Sequence, residues 1–126
     1  MWATNDSPDL PGVLDEFKAR FNSNPRARKL VIDWNRFVLL DAVNTGARYG
    51  LVVKDQELVE VRKVNDFDDE ADDLVHLQAD EAVLLEIFRG KYNPATALTD
   101  GALAVFSKDR DKVKLEALAM VIWRLG

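Results

Sequence analysis

The sequence has no cysteine and a single histidine, His76. Without cysteine, the chain forms no disulfide, no thiolate metal site and no cysteine nucleophile. With one histidine, it cannot by itself build a multi-histidine metal site or an acid–base pair of histidines. We therefore expect no metal site. The chain also has no phosphate loop or dinucleotide fingerprint, and we expect no cofactor. The missing cysteines fit a cytoplasmic location, which is the location we expect.

Long apolar runs are also missing, because no stretch approaches the roughly 18 residues that cross a bilayer. The first residues carry neither a basic region nor an apolar core, so we expect no secretory signal. The 126 residues, 48% hydrophobic and 31% charged, have the size and composition of one globular domain. We expect a flexible N-terminal tail over residues 1–12, with Pro8 and Pro11 in a polar segment, and a single domain over residues 13–126.

Basic charge is scarce in one part of the chain. Residues 55–90 hold 3 basic and 12 acidic side chains, most densely over residues 66–73. Such a surface repels a phosphate backbone, so we expect no nucleic-acid partner. The acidic run also lacks the glycine of a calcium-binding loop and its distant glutamate, and Ala71 stands within it. We interpret it as a solvated loop.

The hydrophobic spacing predicts two N-terminal helices. The first carries apolar residues three and four positions apart, namely Val13, Leu14, Phe17 and Phe21. The second begins with Asn24 as its cap and Pro25 at its first position, and its helical spacing continues to Trp34. A strand through Ile32 and Trp34 is the competing interpretation, and the cap favours the helix.

The middle of the chain predicts short strands joined by turns. Their centres are Phe37–Val43, Tyr49–Val53, Val59–Val61, Leu74–Gln78 and Ala102–Phe106. Helices are expected after Asp80, which can act as a cap, after Asn93, and from Asp109 or Asp111 to Leu125. Strands and helices are segregated, which favours an α+β fold with an antiparallel sheet and helices on one face.

The last third carries a spread-out motif of a strand, a helix, a turn, a second strand and a final helix. Its characteristic residues are Asp80, Phe88, Gly90, Lys91, Asn93, Pro94, Ala97, Gly101, Leu103 and Val105. The chain over about residues 13–126 resembles the sterol carrier protein 2 family of lipid-binding domains. The resemblance lies in this motif and in the order of the helices and strands that precede it. One departure concerns residues 107–111, because family members usually carry Gly-Asp soon after the last strand.

The resemblance implies a five-stranded, mainly antiparallel sheet with helices packed on one face and an apolar tunnel between them. It also implies non-enzymatic binding or transfer of a sterol, fatty acyl or isoprenoid-type lipid, without a cofactor. The C-terminal Trp-Arg-Leu-Gly is not the peroxisomal tripeptide of eukaryotic members, which favours a stand-alone prokaryotic protein.

The final helix is the most informative segment, because residues 117–123 are apolar on every side. Such a helix is either buried, for example in a homodimer, or forms the wall of a lipid cavity. For the second case the candidate lipid-binding residues are Phe37, Leu39, Leu84, Phe88, Phe106, Leu118, Ala119, Ile122 and Trp123. Plain core packing is the alternative for each, and no sequence pattern separates a filled core from an unfilled one.

Two further hypotheses concern partners and chemistry. Basic residues near the first helix (Arg20, Arg26, Arg28 and Lys29) could accompany a transient contact of that helix with a membrane surface, although core packing is the favoured explanation of its apolar side. His76 should face away from the core that Val75 and Leu77 join, and we see no partner that would make it catalytic. Besides lipid binding, we keep a structural or interaction module with a filled core, dimerising or accessory to an enzyme.

Overall fold

The computed structural model describes residues 9–125, so residues 1–8 of the predicted tail lie outside the described residues. The elements follow in chain order as α1 Leu10–Asn22, α2 Pro25–Leu30, β1 Arg36–Ala42, β2 Ala47–Lys54, β3 Glu57–Lys63, β4 Leu74–Ala79, α3 Glu81–Phe88, α4 Pro94–Thr99, β5 Leu103–Phe106 and α5 Lys112–Leu125. A short 3-10 helix, Asp109–Asp111, leads into α5.

The five strands form one sheet in the order β3-β2-β1-β4-β5. The pair β1 and β4 is parallel, and the other three neighbouring pairs are antiparallel. Residues of all five helices pack in one core with alternate residues of the strands. The predicted α+β fold, a five-stranded and mainly antiparallel sheet with helices on one face, is confirmed.

The strand turns form where their residues tolerate left-handed backbone. Gly46 has a φ of 78° between β1 and β2, and Asp55 and Gln56 have φ of 52° and 69° between β2 and β3. In β3, a register shift opposite Val52 and Val53 inserts one extra residue, Val59, which is exposed.

The first helix begins earlier than the hydrophobic spacing indicates. Asp9 accepts a hydrogen bond from the backbone N–H of Gly12 at 2.9 Å, so the helix starts at Leu10. The predicted cap of α2 is confirmed, because Asn24 accepts from the N–H groups of Arg26 and Ala27. Its predicted continuation to Trp34 is wrong, because the helix ends at Leu30 and the chain turns through Asp33 at a φ of 57°.

The start of α3 is capped from a distance. Asp80 occupies the N-cap position, but its side chain makes no capping hydrogen bond, contrary to prediction. Instead, Asn44 in the β1–β2 turn accepts a hydrogen bond from the N–H of Glu81 at 2.9 Å. This contact ties α3 to the end of β1, and sequence spacing gives no sign of it because 37 positions separate the two residues.

Over residues 9–125, no helix is both long and apolar enough to cross a membrane.

Candidate ligand cavity

A cavity with a free volume of about 110 Å³ lies between the helices and the sheet. Within the described part of the chain, every residue that lines it is apolar. These residues are Phe17, Phe21, Val31, Trp34, Val38, Leu51, Val53, Leu58, Leu77, Leu84, Ile87, Phe88, Pro94, Leu103, Val105, Leu115, Leu118, Ala119 and Ile122. An apolar cavity of this kind stays dry and accepts apolar guests.

The floor of the cavity consists of alternate strand residues. Val38 in β1 lies opposite Leu51 in β2, and Leu77 in β4 lies opposite Val105 in β5. Because paired residues of neighbouring strands share a face, these apolar side chains all point towards the helices. The register of the sheet therefore assembles the floor.

The walls come from four of the helices, α1, α3, α4 and α5, of which α4 contributes Pro94. Phe17 and Phe21 project from α1, and the ring of Phe17 meets that of Phe88 in α3 edge-on, with 5.0 Å between centroids. Such aromatic pairs contribute about 0.5–1.5 kcal/mol beyond the area they bury. On the other side, α5 presents Leu118 and Ile122. The aromatic contact fixes α1 against α3 and leaves α5 as a wall without an aromatic anchor in the cavity.

The opening lies between α5 and the strands. Most lining residues are buried, and the partly exposed ones belong to two sets, one on the sheet and one on α5. One set is on the sheet: Val38, Leu77 and Val105. The other is on α5: Leu115, Ala119 and Ile122. We define the gap between these two sets as the mouth of the cavity.

A buried ion pair holds the beginning of α5. Asp111 is 1% exposed and accepts hydrogen bonds from Trp34 Nε1 at 2.9 Å and from Arg36 Nη2 at 2.9 Å. Burial raises the pKa of Asp111, but the hydrogen bonds from Arg36 and Trp34 and the charges of Arg36 and Arg110 outweigh it, so this pKa lies below its usual value. Asp111 lies in the segment that departs from the family motif, and Trp34 itself lines the cavity.

The structure brings five of the nine candidate lipid-binding residues together around the cavity: Leu84, Phe88, Leu118, Ala119 and Ile122. The other four candidates do not line the cavity: Phe37, Leu39, Phe106 and Trp123. The lipid-binding role of the five stays a prediction.

The three misplaced strand residues lie on the outer face of the sheet, opposite the helices. In β1 the apolar run places side chains on both faces, and Val38 and Leu40 join the helix-side core. Phe37 therefore points outward, and a side chain on its neighbour Gly50 would overlap its ring. Leu39 is buried on that same face, opposite Gly50 and His76.

Strand alternation carried the signal that would have corrected these predictions. In β5, Leu103 and Val105 face the cavity, so Phe106 must point the other way. In β1, the polar Asp41 is in phase with Phe37 and Leu39 and marks their face as the outer one. The lining residues that the sequence reasoning missed on α1, Phe17 and Phe21, were assigned to a buried face but not to a cavity.

The final helix has two different sides. Its inner side faces the cavity, whereas Val113, Met120 and Trp123 on its outer side are exposed. The interpretation of a helix buried on every side is therefore wrong for the single chain. Trp123 lies one position beyond the cavity-lining Ile122 and points to solvent.

His76 faces away from the core as predicted, but it has a partner. Its Nε2 lies 3.1 Å from Oδ2 of Asp41, and the rings of Phe67 and Phe106 lie 5.2 and 5.8 Å from its own. Arg48 lies 3.5 Å from the second oxygen of Asp41 and covers the ring of Phe67. The expectation of a histidine without a partner is wrong, because strand pairing aligns residues 35 positions apart.

The acidic segment reaches the outer face through Phe67. Phe67 sits between Arg48 and His76, so the segment that holds Asp66–Asp73 covers this face. Among residues 9–125, no group of three or more acidic or histidine side chains is placed to hold a metal ion.

No protein-family model matches the sequence, and no curated protein is significantly similar to it. Solved structures do match. Sterol carrier protein 2 is similar with a TM-score of 0.63 at 18% identity, over 90% of this chain and 95% of that one. The palmitated protein SCP2L2 from Aedes aegypti is similar with a TM-score of 0.60 at 17% identity, over 91% of this chain and 95% of that one.

A third similar structure belongs to a larger enzyme. A double mutant of the sec-alkylsulfatase PisA1, an enzyme known from a Pseudomonas species, matches with a TM-score of 0.64 at 14% identity. The match covers 87% of this chain but 16% of the sulfatase chain. Together these similarities show the fold, and the expected resemblance in fold is confirmed.

Proposed function

We propose that this chain, whose fold is that of sterol carrier protein 2, binds the apolar part of a lipid in the cavity between the sheet and α5. The observation that carries the proposal is an apolar cavity with a mouth, at the place where the fold separates helices from sheet. The palmitated Aedes aegypti protein of the same fold supports a fatty acyl chain as one ligand class. Sterols and isoprenoid-type lipids are the others.

Burial of apolar area drives this binding. Each Å² of apolar surface removed from water contributes about 25 cal/mol, and no polar contact is needed. The cavity walls of the described chain hold no side chain that acts as a nucleophile, acid or base, so we propose binding or transfer without catalysis in this cavity. The five lining residues predicted from sequence are the proposed lipid contacts: Leu84, Phe88, Leu118, Ala119 and Ile122.

The free volume of about 110 Å³ is small for a lipid. Pockets for ligands of drug size hold about 300–1,000 Å³. Uptake of an acyl chain therefore needs a wall to move outward. The Asp111 ion pair holds the chain just before α5, whereas Ala119 and Ile122 further along are partly exposed. We expect the C-terminal part of α5 to move and its beginning to act as the hinge.

A second candidate function is a structural or accessory module. The small cavity favours it, because little space is left unfilled, and so does the occurrence of this fold as a part of an alkylsulfatase chain. In this case the half-exposed side of α5 would pack on a partner enzyme or a second copy, and no lipid would enter. A cytoplasmic location is part of both proposals and rests on the absence of cysteine.

Two matched tryptophan substitutions on α5 test the proposal. Ala119 lines the cavity, whereas Ala117, two positions earlier, does not. Ala119→Trp places an indole in the cavity, and Ala117→Trp adds the same side chain outside it. The measurement is saturable binding of a fluorescent fatty acid and its displacement by unlabelled palmitate, with thermal unfolding as the check on the fold.

We expect the unchanged chain and Ala117→Trp to bind the probe with similar affinity. Ala119→Trp should bind about tenfold more weakly or not at all, because it removes the space that the ligand occupies. A folded unchanged chain that shows no saturable binding would contradict the proposal and favour the accessory module. Equal binding by both variants would place the ligand outside this cavity.

A further inference from the structure

The outer side of α5 exposes three large apolar side chains on one helix. Val113 is 78% exposed, Met120 60% and Trp123 40%. The opposite side of this helix forms the cavity wall that contains Ala119 and Ile122. Clustered apolar exposure of this kind marks an interaction surface. Met120 and Trp123 directly follow Ala119 and Ile122 in sequence, so this end of the stripe adjoins the α5 side of the mouth.

The first helix does not offer such a surface. Its apolar residues Val13, Leu14, Phe17 and Phe21 are all buried in the core. A membrane contact through that side of α1, as the sequence suggested, would require α1 to leave the core. The exposed stripe on α5 needs no such change.

The charge around this stripe differs from that of the rest of the chain. The segments with α2 and α5, residues 25–34 and 112–124, carry six basic and two acidic side chains. The rest of the chain carries 11 basic and 20 acidic side chains. The helices α2 and α5 pack against each other, and Arg26, Arg28 and Lys29 of α2 are exposed.

Two side chains reduce the positive charge of this face. Lys112 lies 3.0 Å from Asp109, and the exposed Glu116 lies between Val113 and Met120 in sequence, on the same side of α5. The acidic segment, in contrast, reaches the outer face of the sheet through Phe67, and its Asp72 pairs with Lys108 and Arg110 just before α5. The basic excess is thus confined to the exposed side of α2 and α5, and the acidic segment lies elsewhere on the molecule.

We propose that the exposed side of α2 and α5 docks on an anionic lipid surface and so places the mouth of the cavity beside the bilayer. The inference rests on the proposed function and names the partner of that site. Basic side chains are attracted to anionic head groups, and Met120 and Trp123 can enter the interface. A second copy fits this face less well, because two basic faces would then oppose each other.

Flotation with lipid vesicles tests the docking. The probes are vesicles of phosphatidylcholine with phosphatidylserine and vesicles of phosphatidylcholine alone, each at low and high salt. We expect binding to the anionic vesicles that weakens with salt. Met120→Asp should lower vesicle binding about tenfold or more, because it replaces an inserting apolar side chain by a negative one. Glu116→Gln should raise it.

Val43→Asp is the matched control, because Val43 is 56% exposed and lies in the β1–β2 turn. It should lower binding much less than Met120→Asp does. Equal losses in these two variants would overturn docking through α5. So would sedimentation showing a dimer that Met120→Asp separates, because a second copy would then cover the stripe.

Fatty acid binding without vesicles separates this inference from the proposed function. If the unchanged chain binds the fluorescent fatty acid but ignores anionic vesicles, the docking is overturned and the lipid-binding function stands. If it floats with anionic vesicles through Met120 but binds no fatty acid, the docking stands and the proposed function fails. Met120→Asp should retain fatty acid binding, because Met120 does not line the cavity.

Discussion

The two faces of the sheet are made by the same strands but differ in what holds them. On the helix side, alternate strand residues are apolar and border a cavity. On the outer face, the pair of Asp41 and His76 is surrounded by Phe67, Phe106 and Arg48. One face is held by non-directional burial and the other by directional contacts between polar and aromatic groups.

This difference decides which face can take up a lipid. An apolar wall can exchange one apolar neighbour for another without leaving a polar group unpaired. If the outer face opened in the same way, the buried Asp41 would lose its partners, and that loss is costly. We infer that the outer face supplies rigidity and the helix side supplies space.

The largest effect should come from enlarging the cavity. Leu84→Ala removes a fully buried side chain from its wall and should lower the free energy of unfolding by about 3–4 kcal/mol. Added fatty acid should restore part of that loss, because the ligand fills the new space. Chemical denaturation without and with palmitate measures the loss in the free energy of unfolding and the part of it that the ligand restores. A loss that palmitate does not reduce would mean that ligand and leucine occupy different places.

The second largest loss of stability should come from breaking the ion pair between Asp111 and Arg36 at the start of α5. Asp111→Asn leaves Arg36 without its charged partner and should cost about 2–3 kcal/mol of stability. The pKa of Asp111 is lowered in the folded state, so its contribution is complete above the usual carboxyl range and is lost as the pH falls through its folded value. Urea unfolding at several acidic pH values should show this loss in the unchanged chain and less of it in the variant.

A smaller effect is expected on the outer face. Asp41→Asn weakens the contacts to His76 and Arg48 and should cost about 1–2 kcal/mol, because Arg48 is partly exposed to water. Fatty acid affinity should stay within about twofold of the unchanged value if the faces are independent. A large drop in affinity at unchanged stability would show that the two faces are coupled.

The smallest effect is expected for Phe106, which the sequence placed in the lipid site. Phe106→Ser should change stability by about 0.5 kcal/mol, because the ring is more than half exposed. Probe binding should not change, since Phe106 points away from the cavity. Fluorescence titration against Val105→Ser, whose side chain does line the cavity, is the matched comparison. A loss of binding in Phe106→Ser alone would reverse the assignment of the faces.

The fold could be predicted because its signals are local. Asn24 and Pro25 indicate a helix start, Gly46 a turn, and the spread-out residues from Asp80 to Val105 a known order of elements. The end of α2 could not be predicted in the same way. Val31 and Trp34 keep a helical spacing although the chain turns at Asp33, since both are buried by tertiary packing.

The cavity could be predicted only in part. Helix residues such as Leu84 and Ile122 could be predicted because residues three and four positions apart lie on the same side of a helix. The face of β1 was ambiguous because residues 37–40 are all apolar, and only pairing with Leu51 and Val75 settles which of them point inward. The hydrogen bond between Trp34 and Asp111 joins residues that are 77 positions apart, so no local sequence pattern reveals it.

Native mass spectrometry of the purified chain tests the central claim most directly. We predict that a fraction of the molecules carries a single lipid mass and that added palmitate converts the remainder to a one-to-one complex. The same measurement on Ala119→Trp should show the bare chain. A folded, unchanged chain that stays bare at saturating palmitate would contradict the account of α5 and the sheet as the walls of a lipid cavity.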